Sequence, residues 1–208
     1  MNYLQVTEYE QFGLEAATDV AWVTAASSVM DGHCRRSTLG VAQFQERLRI
    51  MGGRNTVRVT YLPLAVVAPA TTSVVSARGR YTMPRRGEWV FSEMTSEIAY
   101  AFGLPGTWTN LNAADLEACA ESGEITLPVN ALGLGFSEIE LIYMAGLDPL
   151  PNVVKAACAQ LVKNAQATPA LNVKMGRLDR MRMDYFSDTL VDASVRSMLA
   201  PFVAQKVG

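Results

Sequence analysis

Between Glu138 and Asn164 the chain changes its hydrophobic period within a few residues. Ile139, Leu141 and Tyr143 alternate with Glu140 and Ile142, the two-residue repeat of a strand. Gly146 and Asp148-Pro149 interrupt that repeat, and Pro151 stands where a first helical turn tolerates a missing N–H. Val154, Ala157, Cys158, Leu161 and Val162 then fall on one helix face. The pattern predicts a strand, a tight turn and a core helix over about Pro151–Asn164. Val191, Val195, Met198, Leu199 and Phe202 repeat the helical spacing. A short amphipathic terminal helix is expected there, with Asp188 or Asp192 near its N-terminal end and Pro201 limiting its extension.

At the other end, Thr7 and Glu10 have capping-box spacing and Gly13 closes a short turn. An Ala-rich helix is predicted from about Leu14 to Met30, closed by Asp31-Gly32. Leu14, Ala17, Ala21 and Ala25 share one face, and Trp22, Ala26, Val29 and His33 another, so burial on more than one side is expected.

The middle reads as β-rich. Phe44, Leu48 and Ile50 alternate with Gln43, Gln45, Arg47 and Arg49, and Gly52-Gly53-Arg54-Asn55 is a turn signal before Thr56–Tyr61, which predicts a hairpin. Leu62-Pro63-Leu64 interrupts, and Ala65–Val67 and Ser73–Val75 resume β-branched character. Arg78-Gly79-Arg80 reads as a turn and Trp89–Phe91 as a buried strand or contact patch. Asn112–Ser122 reads as a short helix with Leu116 and Cys119 inward and Gly123 left-handed after it; Ile125–Val129 returns to strand. After a loop at Gln166–Asn172, Met175, Arg177, Asp179, Met181 and Met183 share one side of any strand in Lys174–Tyr185. The fold class that follows is α+β: a helical frame at the N- and C-terminal ends with a β-rich insertion at about 41–145, all within one domain over 1–208.

Charge changes this picture more than composition does. The net charge is −2, but residues 1–91 sum to +3, residues 92–148 to −9, and residues 149–208 to +4. No Lys or Arg occurs in 92–148. Such segregation predicts one acidic and one basic surface. Glu117, Glu121 and Glu124 are the candidate acidic positions; Arg78, Arg80, Arg85 and Arg86, with Tyr81 interleaved, form the densest basic cluster. Half of the residues are apolar and mean hydropathy is +0.12, enough for a core and for subunit contacts. Arg outnumbers Lys fourteen to four, which favours interface contacts. A pI near 5.5 argues against site-specific DNA binding. The three cysteines, Cys34, Cys119 and Cys158, are far apart and form no CxxC pair, so free thiols in a reducing cytoplasm are expected. The opening MNYLQVTEYEQ lacks a signal-peptide pattern, and no run reaches the length of a membrane span.

The search for catalytic chemistry yields little. The single histidine, His33, adjoins Cys34, and adjacent residues do not share the oriented bond that activates a thiol. It reads as a helix-end residue facing the last carbonyls. No zinc ligand spacing and no phosphate loop occurs, so no metal or cofactor is expected. The pairs Glu93/Glu97 and Glu117/Glu121 have i, i+4 spacing, from which a divalent-ion site or a carboxylate dyad can be built.

Several separated segments resemble the head–tail connector (adaptor) proteins of tailed bacteriophages. The Ala-rich stretch Ala16–Met30 is followed by Cys34-Arg35, similar to a short "CGR"-like sequence of that family. VTYLPLAVV at Val59–Val67 resembles its strand–"LP"–strand passage. IELIYMAGLDPLPNVVKAACAQLV resembles its strand–Gly turn–Pro–helix core, and VKMGRLDRMRMDY and LVDASVRSMLAPFV its closing segments. The segment at about 92–136 exceeds a minimal connector. The resemblance implies a virion protein with no enzymatic activity, assembled in the host cytoplasm. It implies a closed ring of about twelve copies beneath the portal, extending the DNA channel toward a neck, stopper or tail protein. DNA would pass without sequence-specific binding, and the acidic residues would suit a channel wall or a subunit interface. Val195, Met198, Leu199, Phe202 and Val203 become the candidate portal or subunit contact. The competing expectations are a tail-terminator or stopper subunit, a small carboxylate-dependent enzyme, and a β-rich ligand-binding module.

Overall fold

The computed structural model describes residues 1–51, 54–82, 97–98, 100–104, 106–128, 135–167, 175–178, 181–184 and 190–205. The fold is α+β, and the chain divides into two compact units: residues 1–40 with 148–204, and a second built on residues 41–147.

The first unit is organised by three helices, α1 (Val20–His33), α2 (Asn152–Ala167) and α3 (Ala193–Leu199). The start of α1 lies later than the alanine pattern predicts. Asp19 accepts from the Ala21 N–H at 2.9 Å, and this cap fixes the first turn; residues 14–19 precede the helix as turns and irregular chain. Val23, Ala26, Ser27 and Met30 form one buried stripe, while Ala21, Trp22 and Ala25 are exposed. Burial on two sides is therefore corrected to burial on one. The capping interaction also shifts: Glu8 Oε2 accepts from the Gln5 N–H at 3.1 Å, ahead of the predicted Thr7–Glu10 pair.

Helix α2 follows the prediction closely. Pro151 supplies the carbonyl that accepts from the Val154 and Lys155 N–H groups, and Val154, Ala157, Cys158, Ala159, Leu161 and Val162 are buried. Ser27 of α1 lies 3.8 Å from the Cys158 thiol, so small residues carry the α1–α2 contact. Lys155 pairs with Glu8, and Lys163 donates to the Phe12 carbonyl at 3.1 Å, tying the N-terminal turns to α2. A two-stranded antiparallel ribbon, Met175–Leu178 with Met181–Asp184, stands where a single strand was expected. Asp192 caps α3 by accepting from Val195 N–H at 2.7 Å, and its other oxygen accepts from Asn164 of α2 at 3.0 Å.

Tyr3 holds the N-terminal segment in place. Its hydroxyl donates to Asp31 of α1, and the same oxygen accepts from the Leu39 N–H at 2.7 Å. The ring is 1% exposed, and burial with the Asp31 bond pushes the phenol up to about 12.

The second unit contains two antiparallel sheets. Strands β1 (Ala42–Arg49), β7 (Phe136–Ala145), β3 (Val74–Tyr81) and β4 (Trp108–Leu111) form a four-stranded sheet in the order β1-β7-β3-β4. Strands β2 (Thr56–Arg58), β6 (Glu124–Thr126) and β5 (Glu117–Ala118) form a three-stranded sheet in the order β2-β6-β5. Phe44, Ile139, Leu141 and Tyr143 from the first meet Val57 and Ile125 from the second, with Leu116 just before β5, in one apolar core. Phe44 stacks on Tyr61 with ring centroids 4.1 Å apart.

Three sequence expectations change here. The hairpin from β1 to β2 does not form: β1 pairs with β7, Phe44 opposite Tyr143, and β2 pairs with β6. Alternation fixed which face of each strand is buried but carried no information about its partner. Arg78-Gly79-Arg80 is the middle of β3, not a turn. Gly79 is there because a Cβ would lie 2.6 Å from the Phe136 ring on the neighbouring strand. Asn112–Ser122 is not a helix. Asn112 caps a single 3-10 turn at Ala113–Asp115 and the chain then extends into β5, with Leu116 buried but Cys119 exposed. Gly123 does adopt the expected left-handed conformation, with φ 68°. Trp89–Phe91, Arg85 and Arg86 lie outside the described residues.

Candidate interaction surface

The outward face of the four-stranded sheet is a lattice of opposite charges. Strand alternation places Gln45, Arg47 and Arg49 of β1 on the same side as Glu138 and Glu140 of β7. Across β7, Arg78 stands opposite Glu140 and Arg80 opposite Glu138. Glu138 pairs with Arg47, and Arg80 lies 3.7 Å from the same oxygen. Glu140 pairs with Arg78 at 2.7 Å and accepts from Gln45 at 2.8 Å. The Arg47 hydrogen bond holds the Glu138 carboxyl below its ordinary value, and the Arg78 bond does the same for Glu140. Trp108 of β4 completes the face. The guanidinium carbons of Arg47 and Arg78 lie 5.1 and 5.2 Å from its ring centroid.

Of the predicted basic cluster, Arg78 and Arg80 therefore belong to this lattice, and Arg80 also donates to the Gly106 carbonyl at 3.0 Å. Arg47, Arg49 and Trp108 were not singled out from the sequence as a site. The available signal was charge at every second position of two strands, positive on one and negative on the other.

Residues of β1 and β2 line a cleft of about 930 Å³, among them Arg47, Arg49, Arg54 and Arg58, together with Glu46 and Glu124. Glu46 is committed inward, accepting from Tyr143 O–H and Thr60 N–H, each at 3.0 Å. Glu124 stands opposite Arg58 in the β2–β6 register. Among the described residues, Arg49 and Arg54 form no ion pair.

The predicted acidic residues separate. Glu117 is in β5, Glu121 is in the turn after it, and Glu124 is in β6; all three are exposed. The i, i+4 helical geometry expected for Glu117 and Glu121 is absent because the segment is not helical, and Glu93 lies outside the described residues. Among the described residues no group of three or more His, Cys, Asp or Glu side chains can hold a metal ion. No helix among them is long and apolar enough to cross a membrane.

The predicted C-terminal contact residues also divide. Val195 and Leu199 are fully buried within the first unit, while Met198, Phe202 and Val203 are half-buried. Ala204 is buried and donates its N–H to the Cys34 carbonyl at 2.9 Å, so this tail is tied to the end of α1. His33 occupies the last turn of α1. Cys34 and Cys158 are buried, which raises both thiols to about 11, whereas exposed Cys119 is lowered, chiefly by the Ser122 hydroxyl.

No protein-family model and no curated protein matches this sequence. Solved structures that are similar come from gene transfer agent particles. A chain of the neck of an empty particle, computed with C6 symmetry, aligns with TM-score 0.47 and 16% identity over 99% of this chain and 91% of its own. A chain of the neck of a native particle, computed with C12 symmetry, gives 0.47 and 14% over 97% and 89%. A chain of the native virion gives 0.46 and 15% over 99% and 91%.

Proposed function

We propose that this chain is a structural subunit of a phage-type neck: a head–tail connector that forms a ring beneath the portal, extends the DNA channel and receives the next neck or tail protein. One observation carries the reading. The segments that resemble connectors are realised in order as β7, the turn through Gly146 and Pro149 to Pro151, helix α2, and the capped helix α3 docked on α2 through Asn164 and Asp192. Its chemistry is consistent with scaffolding. The two carboxylates of the sheet face, Glu138 and Glu140, are engaged by Arg47, Arg78, Arg80 and Gln45.

Met198, Phe202 and Val203 are the portal or subunit contact in this reading, since Val195 and Leu199 are already used inside the subunit. The test is to mix the purified chain with portal rings of its own particle and image them. Added ring-shaped density at the portal base is expected, with reduced occupancy for a Phe202→Ser variant. Portal rings that remain bare at saturating chain concentration would refute the connector role.

A further inference from the structure

Two strand edges with open backbone groups border the cleft of the second unit. Strand β1 is an edge of the four-stranded sheet and β2 an edge of the three-stranded one. In an antiparallel pair, alternate residues turn their N–H and C=O groups toward the partner strand, and the residues between turn theirs away. Ile50, directly after β1, donates its N–H to the Ser137 carbonyl at 2.8 Å, which sets the backbone groups of Glu46 and Leu48 toward β7. Those of Gln45, Arg47 and Arg49 therefore face the open side. Consecutive residues from Gln45 to Met51 line the cleft, so both faces of β1 reach it and its edge borders it. On β2, the Val59 N–H donates to the Gly123 carbonyl at 3.0 Å and the Leu127 N–H to the Asn55 carbonyl at 2.7 Å, so Thr56, Arg58 and Thr60 turn away from β6. The Thr60 N–H on that open side is taken by Glu46 of β1 at 3.0 Å. Strand β1 pairs with β7 over eight residues without a register shift and contains no proline. A regular edge of that length is a template for one more strand.

We infer that this cleft receives an extended peptide segment of a partner protein, added to β1 as a further strand, with carboxylates on one side and apolar side chains on the other. Strand addition takes its affinity from main-chain hydrogen bonds and its selectivity from alternate side chains. The backbone groups of Gln45, Arg47 and Arg49 supply the first. Alternation fixes the second. One side of the added strand lies beside the Gln45, Arg47 and Arg49 side chains, and the other over Leu48, Ile50 and Tyr61, the apolar part of the lining. Four arginines and two glutamates line the cleft, so its excess charge is positive. Several of these groups are already engaged: Glu46 by the Tyr143 hydroxyl and the Thr60 N–H, Arg47 by Glu138, and Arg58 by the Ser122 carbonyl. Arg49, opposite Glu138 in the register, and Arg54 form no ion pair among the described residues. Those two guanidiniums select Asp or Glu over Lys or Arg in the incoming segment. The portal contact proposed above belongs to the first unit, so the two surfaces stand or fall separately.

The experiment uses the full chain and a fluorescein-labelled peptide of alternating Glu and Val, about six residues long, the usual length of a strand. Fluorescence anisotropy at low salt should give a dissociation constant of about 100 μM or tighter. A peptide of alternating Lys and Val should bind at least about tenfold more weakly. Two analogues, N-methylated on the Glu or on the Val amides, remove the N–H groups of one peptide edge at a time. At least one of them should lose about tenfold or more, because main-chain bonds carry the affinity. Arg49→Ala with Arg54→Ala, checked for folding by circular dichroism, should bind the Glu–Val peptide at least about threefold more weakly. Amide exchange followed by NMR reads the backbone directly. In the free chain Glu46 and Leu48 should exchange slowly and Arg47 and Arg49 fast; saturating peptide should slow the latter two at least about tenfold. No binding at about 1 mM peptide would overturn the proposal. So would equal binding of the Lys–Val peptide, of both methylated analogues or by the double alanine variant, or unchanged exchange at Arg47 and Arg49. An oligothymidylate that displaces the peptide more effectively than unlabelled peptide would assign the cleft to phosphate groups instead. Self-association of the chain that the peptide dissolves, seen by sedimentation velocity, would assign it to a second copy, and either result ends the partner-strand reading.

Discussion

Replacing Tyr3 by Phe isolates one hydrogen-bonding oxygen in the first unit. The ring and its packing are kept, so no cavity forms and the cost is polar alone. Three partners are lost: the Leu39 N–H, which is fully buried and donates at 2.7 Å, Asp31, which accepts from the phenol, and the Thr38 hydroxyl at 3.2 Å. A buried donor left unsatisfied costs about 1–3 kcal/mol. For a chain of this length that corresponds to roughly 2–4 °C in Tm per kcal/mol. The pH dependence separates this account from a packing effect. Burial and Asp31 raise the Tyr3 phenol from about 10 to about 12. A group whose folded value is raised contributes its full stabilisation below the unfolded value and loses it as the pH climbs through the folded value. The native chain should therefore lose up to about 3 kcal/mol between pH 10 and 12, from two units at 1.36 kcal/mol each. Tyr3→Phe lacks this loss, so the gap between the two proteins should close over that interval. At acid pH the gap should also shrink. Burial raises the Asp31 carboxyl and the Tyr3 bond opposes it, so the variant's Asp31 takes up its proton earlier. Urea unfolding followed by circular dichroism across pH 5–12 measures all of this. Equal midpoints near pH 7, or a gap constant from about pH 9 to 12, would refute the reasoning.

Thiol accessibility gives a second check: under native conditions an aromatic disulfide reagent should label Cys119 alone, and all three cysteines after denaturation, as the burial of Cys34 and Cys158 dictates. Rapid native labelling of more than one thiol would contradict the burial of Cys34 or Cys158. Gly79→Val should lower stability by about 1–3 kcal/mol, because the added carbon meets the Phe136 ring and overpacking forces the neighbours to move. A Gly79→Val protein with an unchanged unfolding midpoint would show that β3 and β7 are not in the described register.

Much of the fold was legible wherever a single element reported on itself. Helix α2 was readable because its buried positions keep one spacing from Val154 to Val162 and Pro151 marks its start. Strand β7 was readable because Ile139, Leu141 and Tyr143 recur at every second position, with Glu138 and Glu140 between and before them. Elements decided by a distant partner were not. Gly79 reads as turn chemistry until Phe136 is placed beside it, and the two are joined only by the β3–β7 pairing. The Asn112 signal for a helix start was genuine, since its side chain does accept from Ala114 N–H. It started one 3-10 turn, because Leu116 is drawn into the core of the second unit and Glu117 pairs with Thr126. Tertiary burial there outweighed local helix propensity.

Charge shows the same division between what is local and what the fold creates. Along the sequence, the arginines of residues 1–91 and the acids of residues 92–148 form separate blocks, which predicts separate surfaces. The sheet order overrides part of that prediction. Placing β7 between β1 and β3 sets two glutamates from the acidic block between four arginines from the basic one. On that face Glu138 and Glu140 are engaged by Arg47, Arg78 and Arg80, and the segregation disappears. It survives at the strands that have no neighbour on one side. Arg54 follows β1 without an ion pair among the described residues, and Glu117 lies exposed in the edge strand β5. Charge of one sign thus also reaches the surface where the sheet ends. Those ends are also where backbone groups remain open to another chain.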